Sequence, residues 1–159
     1  MLTVLLCSIL GAVANRFSGF TNISWLPGRN IYWAGLFLFL VAWPFMGLGW
    51  ALAIATSVFT YRIPSWNHSL DMGTRGDSLR RDARMMFYRT LYLFPVFAYA
   101  LFQGLWIAPL LLVIAAAGAT AAYIAGLYGP QLFKDQFNLI EPLAGAVMGG
   151  MVGLTYALS

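Results

Sequence analysis

Residues Thr90–Phe133 read TLYLFPVFAYALFQGLWIAPLLLVIAAAGATAAYIAGLYGPQLF, and none of these 44 residues is charged. As one helix they would extend about 66 Å, twice the roughly 30 Å hydrocarbon core of a bilayer. The stretch must therefore turn back on itself. Gln103-Gly104 and Pro109 mark the bend, because proline suits the first turn of a new helix. Two membrane-spanning helices are predicted, Met85–Gln103 and Ala108–Tyr128.

Working outward, three more stretches lack charge: Met1–Asn15, Ile31–Tyr61 and Pro142–Ser159. They add the spans Leu2–Ala14, Tyr32–Tyr61 and Leu139–Leu158. The expected fold is all-α, a polytopic integral membrane helix bundle of about five transmembrane helices. The second span is the weak point. Thirty residues would rise about 45 Å, and Pro44, Gly47 and Gly49 sit near its middle. A long helix kinked at proline is the preferred reading. Its rival is a hairpin, Ile31–Trp43 and Phe45–Tyr61, which gives six crossings and gathers every basic residue on one side. Ala12-Val13-Ala14 imitates a signal-peptide cleavage site, but no Lys or Arg precedes the apolar run, so it reads as a retained helix.

Composition agrees. The 159 residues are 61% hydrophobic and 9% charged, with mean hydropathy +0.77. A chain this short cannot bury that much apolar surface in water. A soluble enzyme, a free nucleic-acid-binding domain and a disordered tail are excluded, and one transmembrane domain over residues 1–159 is expected. Cys7 is the only cysteine and His68 the only histidine. That excludes an internal disulfide and leaves neither a metal cluster nor a cofactor to expect.

The net charge of +4 is a topology signal. Six of the nine basic residues, Arg62, Arg75, Arg80, Arg81, Arg84 and Arg89, fall in one segment. With five spans that segment shares a side with Lys134 and the N-terminus, against Arg16 and Arg29 opposite. The Arg/Asp-rich connection, residues 62–84, is then cytoplasmic, the N-terminus inside and the C-terminus outside. Trp25, Trp33 and Trp106 fall at the outer interface and Trp66 at the inner one. Trp43 and Trp50 fit neither belt.

The same connection carries most of the available chemistry. Asp77 or Ser78 can cap a helix from about Leu79. The turn Gly73-Thr74-Arg75-Gly76 delivers the chain to that helix start, flanked by Arg80 and Arg81. Free N–H groups and guanidinium forks suit a phosphate, so Gly73, Arg75, Gly76, Arg80 and Arg81, with His68 and Asp71, form a candidate anion or lipid-headgroup site. The bland reading is a capped helix whose Arg side chains lie on anionic lipid. No Lys-Ser/Thr follows the glycines, so this is no P-loop. No catalytic set emerges.

Small residues signal packing. Gly145, Gly149 and Gly153 recur every fourth residue in the last span, and Gly118, Ala122 and Gly126 do so in the fourth. Such stripes allow close backbone approach. Either the two faces pack on each other within one chain, or they serve self-association or docking to another membrane protein.

Three strings, Ala14-Asn15-Arg16-Phe17, Leu26-Pro27-Gly28-Arg29 and Asp71-Met72-Gly73-Thr74-Arg75-Gly76, resemble small multi-pass membrane proteins encoded by tailed bacteriophages. The resemblance covers about the first 85 residues. It implies a bacterial inner-membrane location and a role in infection, and carries over no site residues. The expected function is non-enzymatic: an integral membrane protein that binds other membrane components, as accessory subunit or modulator of a larger membrane protein. Its partners would be membrane lipids and another membrane protein or itself, not nucleic acid. The alternatives are a small enzyme or binding protein for a phosphate-bearing lipid, and a holin-like pore former.

Overall fold

The computed structural model describes residues 1–18, 30–60, 78–128 and 140–159. Every regular element among them is helical: α1 (Leu2–Ser18), α2 (Asn30–Met46), α3 (Leu48–Thr60), α4 (Ser78–Thr90), a 3-10 turn (Leu91–Leu93), α5 (Phe94–Phe102), α6 (Ala108–Tyr128) and α7 (Ile140–Leu158). α6 is long and apolar enough to cross a membrane; its residues Ala108–Gly126 have mean hydropathy 1.9. Leu2–Ala14, Gly35–Met46, Leu48–Val58, Met86–Phe102 and Pro142–Leu158 are shorter apolar helical stretches.

The turn expected at Gln103-Gly104 is present. Gly104 takes φ +98°, a left-handed conformation that other residues adopt at a cost. The amide of Leu105 donates back to the carbonyl of Ala100, and Pro109 sits in the first turn of α6. α4, the 3-10 turn and α5 follow one another directly, so the expected span Met85–Gln103 is helical but changes pitch at Leu91–Leu93.

The second expected span is corrected. Pro44 lies inside α2 without ending it, and the chain breaks at Gly47, φ +83°. α2 and α3 then pack against each other as a hairpin. The turn comes three residues after the proline because a reversal of direction needs the left-handed conformation, which glycine supplies and proline's fixed φ forbids.

Neighbouring helices close a ring, α1–α2–α3–α5–α6–α7 and back to α1, with α4 against α6. Its filled side holds Val96, Phe97, Ala100, Ala108, Leu111 and Ala115 around Trp50 and Val152. A smaller cluster joins Met86, Ala119 and Ala144.

At one end of the ring Trp50 meets Tyr99 and Tyr156 edge-on, at 5.4 and 5.3 Å between ring centres. Gln103 donates to the Tyr99 hydroxyl at 2.8 Å, and the Tyr156 hydroxyl donates to the Phe45 carbonyl at 3.3 Å. The Gly47 turn, the Gly104 turn and the end of α7 therefore share this end. Trp43 and Trp50, expected to fit no belt and to pack in the bundle, lie within one turn of Gly47; Trp50 is buried in the core, whereas Trp43 is exposed.

Candidate functional site

α7 is built around its glycines, and the structure seats them on α1. A Cβ at Gly149 would collide with the Cys7 carbonyl, and one at Gly11 would lie 2.9 Å from the Gly149 Cα. A Cβ at Gly153 would lie 3.0 Å from the Val4 Cα. Early residues of α1 thus face late residues of α7, so the two helices run antiparallel. The stripe Gly145, Gly149 and Gly153 had been expected to meet the Gly118, Ala122, Gly126 face or another chain. The Gly118 position looks instead toward the Val147 side chain, 3.2 Å from a built Cβ. Helical geometry explains this. Val147 lies two residues from both Gly145 and Gly149, about 200° around the helix, so α7 offers its glycines to α1 and its opposite side to α6.

Beside this seam the ring is not filled. A cleft of about 640 Å³ opens among α1, α2, α3, the start of α5 and α7. α1 contributes Leu6, Cys7 and Leu10; α2 contributes Leu38, Val41, Ala42 and Met46. Ile54, Ser57 and Val58 come from α3, Tyr92 and Val96 from the far wall, and Met148 and Val152 from α7. Leu2, Leu6 and Ile9 of α1 and Phe45 of α2 both line the cleft and remain exposed, Phe45 at 77%. The mouth therefore lies between α1 and α2, with an apolar rim.

Polar groups in the walls are few. Ser57 is buried and donates to the Ala53 carbonyl at 3.0 Å. Away from the cleft, Thr90 and Thr155, both fully buried, donate back four residues to Met86 and Met151. This back-bonding satisfies hydroxyls where water does not reach. Among the described residues no group of His, Cys, Asp and Glu could hold a metal ion.

Of the candidate anion site, Gly73, Arg75, Gly76, His68 and Asp71 lie outside the described residues, as does the Arg81 side chain. Arg80 is exposed in the first turn of α4. The cleft is the feature that the sequence reading missed. Its lining comes from six separate helices and the 3-10 turn, so no local pattern marks it. No family model, curated protein or solved structure matches the chain.

Proposed function

We propose that this chain is a six-pass integral membrane protein that acts by binding other membrane components and performs no chemistry of its own. The antiparallel packing of α1 on α7 carries the reading. A chain whose first and last passes run in opposite directions makes an even number of crossings, so the Gly47 hairpin counts as two.

Charge placement supports it. The segments that join α1 to α2, α3 to α4 and α6 to α7 leave from the end opposite Gly47 and Gly104. Those segments, the adjoining helix ends and α4 hold all nine Lys and Arg residues. The positive-inside rule then makes that end cytoplasmic. Both termini lie outside, which reverses the expected side of the N-terminus and keeps that of Ser159. Trp43 and Trp106, both exposed at that end, suit an outer aromatic belt, while Trp50 is packed inside the ring.

The exterior suits lipid. Leu40, Leu52, Leu110, Val113 and Ile114 are large, apolar and about half exposed. Exposed Thr56 gives its hydroxyl to the Leu52 carbonyl at 2.7 Å, leaving no polar atom to solvate. α3, at thirteen residues, rises only about 20 Å. Its Trp50, Ala51, Ala53, Ala55 and Ser57 are buried in the ring, so bilayer thinning need be only local. The phage-like strings support a bacterial inner membrane.

Reporter fusions at Met1, within residues 19–29 and at Ser159 test the topology. The expected result is outside, inside, outside. An inside report at Met1 with an outside report at Ser159 would return the chain to five passes.

A further inference from the structure

We propose that α4 is a docking face for one anionic phospholipid of the cytoplasmic leaflet, with its headgroup held by Arg80 and Arg84. This rests on the membrane reading above. α4 is two-faced. Met86 and Thr90 are buried, and Met86 packs with Ala119 of α6 and Ala144 of α7. At about 100° per residue, Arg80, Arg84 and Tyr88 fall on the side turned away from Met86. Arg80 and Tyr88 are exposed there, and Arg84 is partly buried. The helix carries four arginines against Asp82, a net charge of +3.

Depth gives this charge its meaning. α6, at 21 residues, rises about 30 Å and so matches the hydrocarbon core. Ala119 lies about 13 Å inside the cytoplasmic end of α6 at Tyr128. α4 leads through α5 to the Gly104 turn and so runs antiparallel to α6. That places the Arg84 backbone about 10 Å inside the same end and that of Arg80 about 4 Å inside it. A guanidinium at such depth is costly unless an anion meets it. Among the described residues Arg84 has no carboxylate partner. Helical side chains lean toward the N-terminus, which in α4 is the cytoplasmic end, so both arginines extend toward the headgroups. Like charges four residues apart repel. A phosphate between them replaces that repulsion with charge-assisted hydrogen bonds. Charge complementarity selects the lipid. A zwitterionic headgroup brings its own cation, whereas an anionic one answers the net charge of α4.

The test is native mass spectrometry of the full chain in mild detergent. The chain is offered equal amounts of phosphatidylglycerol and phosphatidylcholine with the same acyl chains. It is expected to retain phosphatidylglycerol about tenfold over phosphatidylcholine. Joint Arg80→Gln and Arg84→Gln should bring that ratio within about twofold of parity. Joint Arg29→Gln and Lys134→Gln, which removes as much charge elsewhere at the cytoplasmic end, should leave it unchanged. Parity in the parent, an undiminished preference in the folded α4 variant, or an equal loss in the Arg29 and Lys134 variant would overturn the proposal. Should the α4 double variant fail to fold, Arg80→Gln alone decides: the ratio should fall about threefold, and no fall overturns the proposal. Release of the chain from membranes by alkaline carbonate sinks the membrane reading itself; membrane retention without the lipid preference sinks only the α4 site.

Discussion

α1 has two faces that meet opposite fates. Along one, Val4, Cys7 and Gly11 lie against the glycines of α7 so closely that a single added carbon collides with backbone. Along the other, Leu6 and Leu10 border a cleft of about 640 Å³. The difference lies in the partner. α7 is stripped of side chains every fourth residue, which lets two backbones meet. α2 presents Leu38, Val41 and Phe45 and touches α1 only weakly. Small residues draw membrane helices together by van der Waals packing, and bulky ones at mismatched heights hold them apart. One helix can therefore be held closely on one side and border an open cleft on the other.

The contrast can be broken most severely at the seam. Gly149→Ile forces a branched side chain into the Cys7 backbone, which cannot yield as a flexible side chain would. A loss of about 3 kcal/mol is expected, at the upper end for overpacked interiors. It would appear as a lower thermal midpoint in detergent. Unchanged stability would mean that α1 does not rest on α7.

The Gly47 hairpin comes next. A Cβ at Gly47 would meet nothing within 4 Å, so only the positive φ opposes substitution. Gly47→Val should cost about 1–3 kcal/mol, and Gly47→Asn clearly less, because asparagine tolerates the left-handed region. Equal melting points for the two variants would argue that the turn has another conformation.

The cleft should be far more forgiving. Ala42→Phe adds a ring where there is room, so stability should stay within about 1 kcal/mol of the parent or rise. A loss as large as that of Gly149→Ile would show that the cleft is closed in the membrane. The smallest effect is expected at Cys7, whose backbone belongs to the seam while the residue also lines the cleft. Cys7→Ala keeps the Cβ and should shift stability by under about 1 kcal/mol. In the parent, an uncharged maleimide should label Cys7 in vesicles and a sulfonated one should not. Labelling by both at equal rates would mean that water fills the cleft.

Much of this was legible beforehand. The uncharged run Thr90–Phe133 is too long for one membrane-spanning helix, so a turn was expected, and Gln103-Gly104 with Pro109 marked its place. The spacing of Gly145, Gly149 and Gly153 announced a close helix contact, because a period of four keeps residues on one face of a helix. The partner of that face was not legible. Thr3, Cys7 and Gly11 also recur every fourth residue on α1, a small-residue face that the sequence reading did not single out, and the stripe in α6, the apparent match, looks toward Val147.

Pro44 misled for a related reason. Proline weakens a helix wherever it stands, so it drew the expected kink. Reversal needs a left-handed residue, and only the packing of α2 on α3 selects Gly47 over Gly49 for that role. Sequence by itself determined the helical class, the apolar character of the helices and the clustering of basic residues, since each depends on composition or on spacing along one helix. The break at Gly47, the partner of the glycine seam and the existence of the cleft were decided by tertiary structure. Each depends on which helices become neighbours, and residues far apart in the chain settle that jointly, by where two surfaces meet closely and where they do not.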